Sequence, residues 1–208
     1  MASKRIGFAV MRGQPPHIGH LDILTRITRE CDTAILGLGS TGNDIDESNP
    51  WTQVIRTEMF RNVFGDRLVI IPLEDLPKKD KNRSKNDWVD YVLDMCKKYG
   101  YENVTDYYSG SKADAVWYAE RFYNEMMVDP MVESYSDLPP FDDEDGFIAP
   151  NGEERLLHII DREKNDCPSA TEIRTLISLG EVKEWKKWIP RVNHDIILNT
   201  YPKKFIMR

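Results

Sequence analysis

His17 and His20 stand three residues apart in the run Arg-Gly-Gln-Pro-Pro-His-Ile-Gly-His of 12–20, directly behind the apolar stretch 6–11. The order is a buried strand, a tight loop, and two histidines at the opening of an amphipathic helix. A helix start offers unpaired N–H groups and the positive end of its dipole, so such a place can hold a polyphosphate. The spacing puts both imidazoles on one helical face. Gly19 between them leaves a ligand room to approach. A second group lies far along the chain, where Pro168 precedes Ser169-Ala-Thr-Glu-Ile-Arg174. Ser169 and Glu172 have the spacing of a capping box. With the hydroxyls of Ser169 and Thr171 and the guanidinium of Arg174 one turn in, the same helix start is a second anion site, because a guanidinium holds phosphate oxygens through paired hydrogen bonds.

The elements that must position these groups follow from the hydropathy pattern. Short, mostly continuous apolar runs at 6–11, 33–38, 68–72, 104–109 and 156–160 predict strands buried on both faces. Helical periodicity lies between them: Ile18, Leu21, Leu24 and Ile27; then Ile55, Met59, Phe60 and Val63 within 52–64; then Trp88, Tyr91, Val92 and Met95 within 87–99. A fourth helix is predicted over 113–127, with Val116, Trp117 and Phe122 inward. Strand and helix alternate, so the fold class is α/β with a doubly wound parallel sheet. Ligands in such sheets bind beyond the carboxyl ends of the strands, where the 12–20 loop emerges. The charged segment 77–86 and the stretch 129–152, with four prolines and an acidic run at 142–145, break the rhythm. The first reads as a loop and the second as an insertion within one domain spanning 1–208. After the helix 169–179, stopped by Gly180, short C-terminal helices are expected at 181–189 and 192–200, divided by Pro190.

Composition narrows the classes. A chain of 208 residues with 40% hydrophobic residues builds one sizeable α/β domain. Three cysteines far apart, with no Cys-x-x-Cys pair, argue against a disulfide framework or a zinc site. No apolar run reaches membrane-spanning length, and the N-terminus leads at once into a strand, so a cytoplasmic protein without membrane partners is expected. A net charge of −7 argues against general affinity for nucleic acid. It does not exclude anionic nucleotides, which need only a locally basic pocket; 78–85 alone carries five basic residues.

His17-Ile-Gly-His20 together with Ser169-Ala-Thr-Glu-Ile-Arg174 resembles the nucleotidyltransferase superfamily of α/β adenylyltransferases. Asn49-Pro50-Trp51-Thr52…Arg56 and Trp88-Val89-Asp90-Tyr91-Val92 narrow the resemblance to the archaeal-type nicotinamide mononucleotide adenylyltransferases. Their pattern runs G-R-F-Q-P-F-H-x-G-H, N-P-F-T-x-x-E-R and W-V-x-Y-V. The likeness extends from the first strand to about Gly180. The chain departs from it at Met11, Gly13, Pro16 and Ile55, losing a glycine, two phenylalanines beside the loop and an acidic residue before Arg56.

The resemblance implies a Rossmann-like nucleotidyltransferase fold and adenylyl transfer from ATP to nicotinamide mononucleotide, with Mg²⁺ bound mainly through the ATP phosphates. His17 and His20 would contact the ATP phosphates, Arg12 and Arg174 would neutralise the triphosphate, and Thr171 would bind a phosphate oxygen. Gln14 would contribute through the loop backbone, and Gly19, Gly110 and Ser169 belong to the same ATP site. Arg56 would hold the mononucleotide phosphate, Trp88 would wall the nicotinamide ring, and Asn86 would bond its carboxamide. On periodicity alone Trp88 is equally a core residue. Relatives of this type are commonly homo-oligomers. Two alternatives stay open: an adenylyltransferase for another phosphate monoester (nicotinate mononucleotide, pantetheine phosphate or flavin mononucleotide), and a nucleotide sensor without turnover.

Overall fold

The computed structural model describes residues 4–76, 85–110, 118, 146–148, 154–160 and 167–207. Within them the chain runs β1 (Ile6–Met11), α1 (Ile18–Glu30), β2 (Thr33–Leu38), α2 (Gln53–Phe64), β3 (Leu68–Pro72), α3 (Lys85–Lys98), β4 (Asp106–Ser109), β5 (Gly146–Ile148), β6 (Glu154–Ile159), α4 (Ala170–Ser178), α5 (Val182–Trp185) and α6 (His194–Thr200). The strands form one sheet in the order β3-β2-β1-β4-β6-β5. The chain moves outward from β1 to β3, then crosses back to lay β4 on the other side of β1. That reversal makes β1/β4 the switch point of a doubly wound sheet, whose crevice opens at the carboxyl ends of the two strands.

Register explains the apolar runs. Phe8 lies opposite Ile35 and Tyr107, and Tyr107 opposite Leu157. This row packs with Val89, Val92 and Cys96 of α3. The next row, Ala9 with Leu36 and Tyr108, faces Leu24 and Ile27 of α1 and Phe60 of α2. Successive side chains of a strand point to opposite faces, so each strand must be apolar twice over. A third cluster joins Trp51 and Met59 to Ile173 and Ile177 of α4 and to Trp185, Ile189 and Ile197 of the C-terminal segment. Asn193, fully buried, fixes that segment: its Nδ2 donates to the Met59 carbonyl (3.0 Å) and its Oδ1 accepts from Asn62 (3.1 Å).

Several sequence expectations shift. Five strands are parallel, but β5 pairs antiparallel to β6 and closes the edge, so the 129–152 insertion returns through a strand; its other residues lie outside those described. β4 begins at Asp106 rather than 104, and β6 runs Glu154–Ile159 rather than 156–160. Residues 85 and 86, expected in a loop, open α3, while 77–84 lie outside the described residues. So does the helix expected at 113–127, apart from Tyr118. The helix expected at 181–189 is only Val182–Trp185, and the one at 192–200 starts as a 3₁₀ turn at Arg191–Asn193 before α6. These segments are held by packing into the third cluster, so length is set by contacts rather than by periodicity.

His158, given no role by sequence, lies in the second row opposite Tyr108 and stacks on it at 4.2 Å. A polar ring in an apolar row needs a partner, and Asp106 supplies it at 2.8 Å from Nε2. Asp106 also accepts from Thr105 Oγ1 (2.7 Å) and from Arg5, through Nε (3.2 Å) and through Nη2. Burial alone would raise this carboxyl, but the bonds from His158, Arg5 and Thr105 outweigh it and hold the group well below the usual carboxylate range. Asp106→Asn is therefore expected to lower stability at pH 7 by about 2–3 kcal/mol, less than for a fully buried pair because Arg5 reaches solvent. A depressed folded pKa contributes stability above the unfolded carboxylate pKa, about 4, and loses it as the pH falls from there. Urea unfolding at pH 7 and pH ~3 should thus show a smaller acid loss in the variant than in the wild type; equal losses would remove Asp106 from the account.

Candidate active site

The loop leaving β1 carries most of the site. His17 is the N-cap of α1 and His20 lies one turn inside; both are buried, with ring centroids 3.9 Å apart and planes inclined by 49°. The His17 N–H donates to His20 Nδ1 at 3.4 Å. Two chain-distant contacts hold this corner: Cys167 Sγ lies 3.5 Å from His17 Nδ1, and the Ile18 N–H donates to the Trp188 carbonyl at 3.0 Å. Gly19 packs closely here: a Cβ would sit 3.2 Å from both Cys167 Sγ and the His17 ring, so one of them would have to shift by a few tenths of an ångström.

Arg174, from the first turns of α4, reaches this loop directly. Its Nη1 donates to the Gln14 carbonyl at 2.7 Å and its Nη2 to Thr171 Oγ1 at 3.0 Å. The remaining Arg174 N–H groups have no acceptor among the described residues, and the Thr171 proton stays available for a ligand oxygen. Gln14 contributes its backbone to Arg174 and, beyond expectation, its side chain to Trp51. Nε2 donates to the Trp51 carbonyl (2.9 Å) and Oε1 accepts its N–H (3.1 Å). The two motifs, 160 residues apart, are thus joined by one hydrogen bond. Gly13, where the family pattern has phenylalanine, has φ +59°, and a Cβ there would lie 2.6 Å from the Phe60 ring. The space beside the loop is filled by an aromatic from α2 instead.

Arg56 is not an exposed helix arginine. It is 1% exposed, and its guanidinium lies under the ends of β1 and β2. Nη1 donates to the carbonyls of Arg12 and Gly39 (the latter at 2.8 Å), and Nη2 donates to that of Ser40 at 3.0 Å. Ser40, at φ +53°, donates its hydroxyl to Asp75 (2.9 Å), which also accepts from Asn43 (2.8 Å). Burial lowers the Arg56 pKa to about 10; the charge of Arg12 adds to the fall, and that of Asp75 opposes it. Burial and then Arg12 likewise lower Arg174. Arg12 itself is exposed, and its guanidinium has no acceptor among the described residues. Three guanidinium groups therefore share one corner, none of them hydrogen-bonded to a carboxylate among the described residues. Such a corner favours an anion.

The other expected residues are placed as follows. Ser169 Oγ donates to Glu172 (2.8 Å) and accepts the Glu172 N–H (3.2 Å), so its hydroxyl serves the helix cap. Trp88 packs partly buried against the α3-face core, 5.6 Å from Tyr91. Tyr91 accepts the Glu74 N–H at 3.0 Å, next to Asp75, so contacts lead from Trp88 through β3's exit to Ser40 and Arg56. Asn86 lies in the first turn of α3, and Gly110 follows β4 at the switch point. Sequence reasoning missed the Gln14–Trp51 clasp, the Ser40–Asp75 pair and Cys167. Only the tryptophan in Asn-Pro-Trp-Thr carried a local signal for any of them.

No protein-family model matches the chain. Among curated proteins it is 31% identical over 96 residues to the nicotinamide-nucleotide adenylyltransferase of Halobacterium salinarum, covering 45% of this chain and 51% of that one. To the nicotinamide-nucleotide adenylyltransferase of Pyrococcus horikoshii it is 27% identical over 190 residues, covering 89% and 78%. The chain spans about half the length of the curated relatives it matches at 31% identity. Among solved structures, the bifunctional NMN adenylyltransferase/ADP ribose pyrophosphatase of Francisella tularensis, complexed with AMP and a manganese ion, superposes with a TM-score of 0.57. That match has 19% identity and covers 85% of this chain and 42% of that one. The fold is the Rossmann-like nucleotidyltransferase fold.

The Arg56 cage makes a stability prediction. Arg56→Ala leaves three carbonyls without their donor, at roughly 1–3 kcal/mol for each that stays dry. The ligand-free variant should therefore lose about 3 kcal/mol or more in urea unfolding. A loss below about 0.5 kcal/mol, the usual surface value, would show that the cage is dispensable.

Proposed function

We propose that the chain transfers the adenylyl group of ATP to nicotinamide mononucleotide, giving NAD and pyrophosphate. The observation that carries this is the hydrogen bond from Arg174 to the Gln14 carbonyl, which sets the α4 arginine against the histidine loop with Arg12 open beside it.

In the proposed reaction an oxygen of the mononucleotide 5′-phosphate attacks the α-phosphorus of ATP in line. The bond from that phosphorus to the bridging oxygen breaks, and its electron pair leaves with pyrophosphate. No base is required, since a phosphate monoester with a second pKa of ~6 is already an anion at neutral pH. Catalysis then consists of positioning two anions and stabilising the charge that builds on the α-phosphate and leaving group. His17 and His20 donate to the α-phosphate oxygens from the start of α1. Arg12, Arg174 and Thr171 bind the outer phosphates, and Gly19 and Gly110 let backbone approach the nucleotide. Arg56 acts on the mononucleotide phosphate through its charge and through the carbonyls it fixes, while Trp88 and Asn86 serve the nicotinamide end. Mg²⁺ would be held mainly by the ATP phosphates and would there screen the repulsion between donor and acceptor. A cytoplasmic setting, in a homo-oligomer, completes the proposal. No described helix is long and apolar enough to cross a membrane.

Pyrophosphate release from ATP should depend on nicotinamide mononucleotide in a panel that also holds nicotinate mononucleotide, pantetheine phosphate and flavin mononucleotide. His20→Ala should lower kcat by about 10²-fold, the scale of losing one preorganised donor, with little change in thermal midpoint. Release driven only by pantetheine phosphate or flavin mononucleotide would replace the acceptor. Nucleotide binding with no release from any of them would favour the sensor.

A further inference from the structure

The segment that enters α4 meets the histidine loop in two places. Arg174 binds the Gln14 carbonyl, and Cys167, just ahead of the helix, brings its Sγ to 3.5 Å from Nδ1 of His17. The same sulfur lies 3.6 Å from the Pro168 carbonyl. The chain direction at this point is fixed by the α4 cap, where Ser169 and Glu172 each accept the other's backbone N–H. Gly19 completes the fit. A Cβ there would stand 3.2 Å from the sulfur and 3.3 Å from His17 Nδ1, so the glycine leaves the thiol and the imidazole edge room to meet.

A neutral imidazole carries one proton, and the partner of one nitrogen decides which of the two bears it. His17 is the N-cap of α1, and its side chain faces the His20 N–H in a capping box. A backbone N–H can only donate, so Nδ1, the nitrogen nearer the backbone, accepts on this edge. The thiol is a second donor on the same edge. With its proton turned to Nδ1 rather than to the more distant Pro168 carbonyl, it agrees with that polarity and leaves the ring proton on Nε2. An apolar side chain of similar size would serve packing alone, since a buried cysteine packs as a small hydrophobe. What the thiol adds is a hydrogen bond that selects one orientation of the ring.

We infer that Cys167 is a positioning residue of the active site, its thiol donating to His17 Nδ1 so that Nε2 carries the imidazole proton. Nothing is transferred to or from the sulfur. That this proton then meets the α-phosphate of ATP rests on the adenylyltransferase reading; the contact at Nδ1 does not. A donor set in place before the ligand arrives has no reorganisation to undergo as charge develops. The α4 segment thus sets the histidine loop at two residues, Gln14 through Arg174 and His17 through Cys167.

Nitrogen-15 NMR of the intact, ligand-free chain reads the proton placement directly, with only four histidines to assign. The wild type should show His17 protonated on Nε2. Cys167→Val keeps apolar bulk without a donor, and Cys167→Ser keeps a donor with less bulk. In Cys167→Val the ratio of the Nε2–H to the Nδ1–H form should fall about fivefold, the scale of one neutral hydrogen bond. In Cys167→Ser it should stay within about twofold of wild type. With ATP and nicotinamide mononucleotide, kcat should follow the same pattern, while the dissociation constant for inorganic pyrophosphate and the thermal midpoint stay unchanged in both variants. Cys167→Ala, which adds no bulk, repeats the reading if the valine fails to fold. A wild-type His17 protonated on Nδ1 would overturn the inference, as would an unaltered His17 spectrum in Cys167→Val. So would an equal fall in the valine and serine variants, or a fall in serine alone, either of which would assign the effect to the size of the sulfur. The spectrum needs no turnover, so a wild type that shows the Nε2–H form but transfers no adenylyl group would fail the functional proposal while leaving Cys167 tested.

Discussion

A buried guanidinium under three backbone carbonyls is the constraint on which the rest of this site depends. Parallel strands end with their carbonyls pointing the same way, and at the exits of β1 and β2 those of Arg12, Gly39 and Ser40 converge. Without a donor among them the two loops would have to splay to reach water, because a buried carbonyl left unpaired is costly. Arg56 lets them close. Once closed, the chain direction at Arg12 is set and the Gly13 turn against Phe60 follows. Gln14 is then delivered to the two partners it joins, Trp51 by its side chain and Arg174 by its carbonyl.

The same geometry shows why a strongly acidic protein can present an anion site. The chain carries a net charge of −7, but charge acts over short distances in salt, and what a ligand meets is the local field. At the carboxyl edge of β1 the local charges are Arg12, Arg56 and Arg174. The nearby carboxylates are engaged elsewhere, Asp75 with Ser40 and Asn43 and Asp46 with backbone N–H groups. Burial lowers Arg56 and Arg174 first, and the charge of Arg12 adds a repulsion to both. A polyanion entering that corner relieves it.

Much of this was legible in the sequence, for identifiable reasons. Strands buried on both faces must be continuously apolar, so 6–11, 33–38 and 68–72 declared themselves. The i, i+3 histidines and the Ser169/Glu172 box are local signals, and local signals survive without a structure. What failed was long-range. The three carbonyls that Arg56 binds could not be read from its motif, which says where the residue sits in sequence and nothing of the strand ends above it. His158 looked idle because its partner Asp106 is 52 residues away on a neighbouring strand. The antiparallel β5 was hidden because three residues, Gly146–Ile148, are too few to show a period. That Phe60 fills the space beside Gly13 from another element was equally out of reach of the local pattern.

The C-terminal segment shows how these long-range contacts divide the work. Among the described residues it hydrogen-bonds or stacks on the part that carries the histidine loop and Arg56 at three points. Trp188 accepts the Ile18 N–H at the start of α1, Asn193 binds the Met59 carbonyl and Asn62 in α2, and Thr200 with Tyr201 grips Trp51. Each contact fixes an element that in turn fixes a site residue: α1 carries the histidines, α2 carries Arg56, and Trp51 anchors Gln14. A helix as short as α6 has little stability of its own, so it holds this position only through the indole, amide and aliphatic contacts it makes. The dependence is mutual. The start of α1 is bonded to the docked segment through Trp188, and the segment is docked against Trp51 and Met59, on either side of Arg56.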